Sequence, residues 1–208
     1  MIPGATLRGI YAILNEGTPD PVELARALLS GGVRIVQYRA KSGIDESRAR
    51  MLRKLTREHQ ALLIVNDDWQ AALAVDADGA HLGPGDASMA ELPYVRRQLS
   101  GRILGVSCGT PEEARLAQAA SADYLGVGSV YATGSKADAG APIGIAGLRA
   151  VASAAPALPV AAIGGIDASN LRDVAASGVA MAAVLSAFST SGDPAATARS
   201  FVRLWSAR

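Results

Sequence analysis

Short apolar, β-rich runs alternate with longer amphipathic runs along the whole chain, and Gly, Pro, Asp or Ser marks each switch. The pattern predicts strands at 9–14, 34–39, 62–66, 79–82, 102–106, 124–127, 160–163 and 180–185, with helices filling the gaps. Asp20-Pro21 opens the first helix with a capping carboxylate and a proline at the first helical position. Leu24, Leu28 and Leu29 give that helix one apolar face, and Gly31-Gly32 stop it. Thr110-Pro111 followed by Glu112 and Glu113 repeats the grammar, as does Asp193-Pro194. Eight β-α units in 208 residues, about 26 each, predict an α/β fold: a single compact (β/α)8 TIM barrel over residues 1–208. A doubly wound open sheet competes, but the strands carry no dinucleotide fingerprint and the units run on without a domain break.

Composition narrows function more than fold. Twenty Lys+Arg stand against 19 Asp+Glu, and aromatic residues make up 4% of the chain. A nucleic-acid binder normally needs a basic stripe and aromatic platforms, so that class falls behind a small-molecule protein. The longest apolar stretches, 150–163 and 178–188, contain Ser or Pro and fall short of the roughly 18 residues of a membrane span. Met1-Ile2-Pro3-Gly4 carries no secretory pattern, and the lone Cys108 excludes an internal disulfide. The expectation is a soluble cytoplasmic protein with no membrane or nucleic-acid partner, with a homo-oligomer left open.

In a (β/α)8 barrel the loops after the strands share one face, so polar residues at strand ends converge there. Gln37, Arg39 and Lys41 alternate after the second strand and point the same way. Burying Arg39 alone would cost several kcal/mol or more, so it requires an anion, either a barrel carboxylate or a ligand. Asn66-Asp67-Asp68 and Asp86 end the third and fourth units. Two carboxylates on adjacent loops suit Mg²⁺ bound with substrate, although Asp67 or Asp68 equally suits a helix cap and Asp86 a turn. Ser107 precedes a helix and offers a hydroxyl to a phosphate, or a simple cap. Cys108 reads as a small packed residue and His81 as a structural or supporting one. The loop 131–144 reads as a mobile lid in which Thr133, Ser135 and Lys136 are phosphate-compatible donors. Gly164-Gly165 and Leu185-Ser186 end the last two strands, where small residues let backbone N–H groups approach a phosphate.

QYRAK at 37–41, NDD at 66–68, HLG with Asp86, GVS at 105–107, TGSK at 133–136, IGGI at 163–166 and LS at 185–186 together resemble the thiamine-phosphate synthase family over nearly the whole chain. The resemblance implies transfer of a pyrimidine-methyl group from hydroxymethylpyrimidine diphosphate to the ring nitrogen of hydroxyethylthiazole phosphate, with loss of pyrophosphate. It places Gln37, Arg39, Lys41, Asn66 and Lys136 on the pyrimidine diphosphate, Asp67 and Asp86 on Mg²⁺, and Ser107 at the diphosphate. It places Thr133, Ser135, Gly165, Leu185 and Ser186 on the thiazole phosphate. Arg39, Lys41, Ser107 and Lys136 are the residues it assigns to catalysis, by charge stabilisation without a protein nucleophile. The chain departs from the family pattern at Ala132 and Ser135 in the lid, at Gly109, and at Pro84-Gly85 before Asp86. A thiazole tautomerase of the same superfamily and a non-catalytic phosphate-ligand binder are the rival readings; Asp67, Asp86 and Lys136 together favour the synthase.

Overall fold

The computed structural model describes residues 7–18, 20–134 and 140–207. Eight parallel strands close into a barrel in simple sequence order. They are β1 (Gly9–Asn15), β2 (Ile35–Arg39), β3 (Leu62–Asn66), β4 (Gly79–Leu82), β5 (Ile103–Cys108), β6 (Tyr124–Val127), β7 (Val160–Ile163) and β8 (Met181–Val184). The intervening helices are α1 (Pro21–Ser30), α2 (Glu46–Glu58), α3 (Trp69–Ala74), α4 (Leu92–Gln98), α5 (Pro111–Ala119), α6 (Gly144–Ala154) and α7 (Leu171–Ala176). A short α8 (Ser186–Ser189) and the closing α9 (Pro194–Ser206) follow β8.

Local chemistry sets the helix starts. Asp20 accepts from the backbone N–H groups of Val22 and Glu23, both at 3.0 Å, which satisfies two of the donors a helix leaves free. Thr110 and Glu113 form a reciprocal capping box at the start of α5.

Alternation along the strands divides the core in two. One set of side chains, including Val36, Leu63, Val65, Leu104 and Leu125, packs outward under the helices. The other, including Ile35, Leu62, Ile64, Ile103 and Met181, fills the barrel's interior. At the N-terminal end of the strands the buried Arg53 and Asp78 pair at 2.6 Å, and Asp78 also accepts from the Leu63 N–H at 2.8 Å. That end is a closed base. Toward the other end the inward positions turn polar, which makes room for a site. Among the described residues, no helix is long and apolar enough to cross a membrane.

Candidate active site

The C-terminal rim opens into a cavity of about 690 Å³. On one wall β2 supplies Gln37 and Arg39, with Lys41 just beyond it; the ends of β3 and β4 supply Asn66, Asp67 and Asp86, and β5 supplies Ser107. The facing wall contains Thr133, Gly165, Leu185 and Ser186. The structure thus brings together every sequence-predicted site residue that falls among the described ones. Ser135 and Lys136 lie outside them, as does the middle of the segment read as a lid.

The rim gathers charge of both signs. Among the described residues Arg39 makes no ion pair; its Nη1 donates to the neutral Asn15 Oδ1 at 3.0 Å. Glu16 steadies the neighbouring loop by accepting from the backbone N–H of Lys41 at 3.0 Å and of Ser42 at 3.1 Å. Hydrogen bonds from the Ser42 hydroxyl and backbone hold the Glu16 carboxyl below its usual range. Sequence reasoning missed Glu16; its position directly after the first strand, opposite a cationic strand end, was the available signal.

Asp67 and Asp86 come within hydrogen-bond reach of each other. Burial, then the contact with Asp86 and its charge, push Asp67 up to about 6 against the opposing pull of Arg39 and Lys41. The division of labour with Asp68 is settled by the backbone. Asp68 caps α3 by accepting from the Ala71 N–H at 2.8 Å, whereas Asp67 sits at φ +66° and donates its own N–H to the His81 carbonyl at 2.8 Å. This left-handed conformation releases the Asp67 carboxylate from capping. Asp86 is oriented by the Gly83 N–H, which donates to its Oδ2 at 2.7 Å. Two hard oxygen donors suit the chemistry of Mg²⁺, which keeps waters and takes phosphate oxygens. A cation would also relieve the repulsion that raises Asp67.

The floor is polar but self-contained. Gln37 Nε2 donates to Tyr11 Oη at 2.7 Å, Tyr11 and Tyr124 join hydroxyl to hydroxyl at 2.8 Å, Tyr124 Oη meets His81 Nδ1 at 2.9 Å, and His81 Nε2 meets Ser107 Oγ at 3.0 Å. Burial raises both phenols and pushes His81 down to about 4 against the charge of Asp86, so the floor is uncharged at neutral pH. Glycines make this packing possible: a Cβ on Gly105 would lie 2.2 Å from Tyr124 Cζ, and one on Gly126 would lie 2.8 Å from His81 Cε1. Tyr11, Tyr124 and the cavity-facing role of His81 were not read from the sequence. Ser107 also differs from the cap alternative: β5 runs on to Cys108, so Ser107 points inward from a strand and Thr110 caps the helix. Cys108 is packed as expected, its thiol pushed up to about 12 by burial and then by Glu113.

On the facing wall Gly164 and Gly165 adopt φ +99° and +65°, and a Cβ on Gly165 would lie 2.4 Å from the Ala132 carbonyl. Only glycine keeps this turn without strain. The segment beyond β6 is anchored at both ends, by Tyr131 N–H to the Gly164 carbonyl at 3.0 Å and by Ile143 N–H to the Ser129 carbonyl at 2.8 Å.

Fold and cavity together define a (β/α)8-barrel protein whose C-terminal mouth gathers cationic and acidic side chains. A family model described as thiamine monophosphate synthase matches residues 10–188. The chain is 47% identical over 194 residues to a thiamine-phosphate synthase of Moorella thermoacetica, covering 89% of this chain and 88% of that one. It is 43% identical over 204 residues to a thiamine-phosphate synthase of Methanospirillum hungatei, covering 94% and 97%. Its structure is similar to a thiamine phosphate pyrophosphorylase from Pyrococcus furiosus, with TM-score 0.88, 36% identity and coverage of 97% and 96%. The chain belongs to the thiamine monophosphate synthase family. It is accordingly an enzyme of thiamine biosynthesis, a transferase that couples pyrimidine and thiazole moieties.

Proposed function

We propose that this cavity joins hydroxymethylpyrimidine diphosphate to hydroxyethylthiazole phosphate, giving thiamine phosphate and pyrophosphate by a Mg²⁺-assisted dissociative substitution in the cytoplasm. The observation that carries the reading is the meeting of the Asp67–Asp86 pair with Arg39 and Lys41 at one rim. Acidic and cationic groups placed side by side suit a metal–diphosphate unit, which presents both signs of charge.

Gln37 and Asn66 bind the pyrimidine. Arg39, Lys41 and Lys136 hold the diphosphate, with Ser107 assisting, and Asp67 and Asp86 hold Mg²⁺. That ion, when bound, supplies neutralisation of charge gathering on the leaving group. Thr133, Ser135 and the backbone of Gly165, Leu185 and Ser186 take the thiazole phosphate. The bond from the pyrimidine methylene to the diphosphate oxygen breaks with its electron pair departing on pyrophosphate. The lone pair of the thiazole nitrogen then forms the new C–N bond. No protein nucleophile takes part, and the buried, protonated Cys108 offers none.

The test is to supply both phosphorylated heterocycles with and without Mg²⁺ and follow thiamine phosphate by mass. Product that requires both substrates and the metal supports the proposal. Metal-independent tautomerisation, or saturable binding without product, replaces it with one of the rivals.

A further inference from the structure

The floor chain has a direction. Tyr11 Oη has two partners among the described residues, Gln37 Nε2 and Tyr124 Oη, and the first is a donor only. The Tyr11 proton therefore goes to Tyr124. The Tyr124 proton then goes to its remaining partner, His81 Nδ1, which must be bare to accept it. A neutral His81 carries its proton on Nε2 and donates it to Ser107 Oγ, so the Ser107 proton is left to point into the cavity. While the Gln37 amide donates to Tyr11, any other placement leaves a buried hydroxyl without an acceptor, at a cost of about 1–3 kcal/mol. We propose that Gln37, Tyr11, Tyr124, His81 and Ser107 form a one-way hydrogen-bond relay that keeps the Ser107 hydroxyl a donor to the ligand. Tyr11, Tyr124 and His81 are then positioning residues. The relay ties Gln37 on β2 to Ser107 on β5 through two tyrosines 113 residues apart in sequence.

One choice fixes the direction: the Gln37 amide. With its oxygen turned toward Tyr11 every bond reverses, His81 is protonated on Nδ1, and Ser107 becomes an acceptor. The two directions thus differ in which His81 ring nitrogen carries the proton, which is measurable. The kinetic consequence rests on the reading that the departing diphosphate lies at Ser107; the tautomer does not, so the two can fail separately.

The chain contains two histidines, which makes ¹⁵N-histidine labelling of the whole protein directly readable. Long-range ¹H–¹⁵N spectra of the ligand-free protein at neutral pH should show His81 protonated on Nε2 and bare on Nδ1. A ring protonated on Nδ1 overturns the relay. In Tyr124→Phe, which keeps the ring and removes the hydroxyl, the Nδ1 signal should shift; an unchanged signal also overturns it. In turnover, Tyr124→Phe should lower kcat about tenfold with KM for the thiazole phosphate unchanged, the loss of one oriented donor. In a Ser107→Ala background the same change should cost less than about twofold, because the relay then has nothing to orient. A tenfold loss in both backgrounds, with matching losses of thermal stability, would mean that Tyr124 is structural and would overturn its positioning role.

Discussion

Replacing Asp67 with Asn isolates the electrostatic load at the rim. The carboxyl rises from its ordinary 3.8 to about 6, through burial first and Asp86 second. Converted at about 1.4 kcal/mol per pH unit, that rise sets a ceiling of roughly 3 kcal/mol on the cost of ionising Asp67 in the folded protein. Asp67 is only partly buried and Asp86 is exposed, so solvent screening reduces the expected figure to about 1 kcal/mol. The sign follows from the raised value. The folded protein holds this proton more tightly than the unfolded chain does, so the parent loses stability as pH climbs from about 4 through about 6. Asp67→Asn never ionises and escapes the loss. Asn also tolerates the left-handed φ of +66° at this position, so the backbone conformation need not change.

Urea denaturation in the absence of divalent cations checks this directly. The variant should be more stable than the parent by about 1 kcal/mol near pH 7.5, and the gap should narrow near pH 5. Millimolar Mg²⁺ should stabilise the parent and leave the variant almost unmoved, while the variant's turnover collapses. Equal stabilities at both pH values would refute the electrostatic argument. A variant that Mg²⁺ stabilises as well as the parent would refute the two-carboxylate cation site.

Lys136→Ala should lower kcat by about 10²–10³ with smaller changes in KM, because the proposed charge acts on departing pyrophosphate; steady-state kinetics with unchanged turnover would remove that role. Gly165→Ala should cost about 1–2 kcal/mol for its φ of +65°, together with the 2.4 Å clash on the Ala132 carbonyl, and should raise KM for the thiazole phosphate more than for the diphosphate. Asp78→Ala should destabilise the barrel by about 3–5 kcal/mol in chemical denaturation. It strands Arg53, whose Nε already lacks a partner among the described residues, and removes the acceptor of the Leu63 N–H.

The eight strands were legible because period-two burial and Gly/Pro/Asp punctuation are local properties. The bounds read for β6 and β7 agree with the structure residue for residue. β5 ends two residues beyond its reading, because Ser107 and Cys108 continue to pair with Gly126 and Val127 while Ser-Cys-Gly-Thr has the composition of a turn. The rim residues were legible because charges at apolar strand ends are conspicuous. Which of Asp67 and Asp68 caps α3 was not, since the choice depends on one backbone angle. The floor was illegible for a different reason. Tyr11 and Tyr124 read as ordinary apolar strand residues, and only closure of the barrel joins them. The inward glycines at 105 and 126 were the trace they left, as vacancies that large rings must fill.

Rim and floor follow opposite electrostatic rules. At the rim, Asp67 and Asp86 repel each other and Arg39 makes no ion pair among the described residues, so a cation and a polyanion entering together would relieve the first and pair the second. On the floor, the imidazole and the hydroxyl groups are engaged with one another. His81 Nδ1 accepts from Tyr124, the phenols are protonated and bonded, the Ser107 oxygen accepts from His81 Nε2, and the Cys108 thiol keeps its proton. Under the proposed dissociative chemistry this difference has a purpose. A pyrimidine-methyl cation left behind by pyrophosphate would alkylate any free nucleophile within reach, and a charged floor would trap it before the thiazole nitrogen arrived. A neutral floor whose one basic nitrogen, His81 Nδ1, is already engaged leaves the thiazole nitrogen as the stronger electron-pair donor. It follows that breaking the relay at Tyr124 should do more than slow turnover: intact-protein mass spectrometry of Tyr124→Phe after incubation with the diphosphate alone should reveal a pyrimidine-methyl adduct, absent from the parent and mapping to His81.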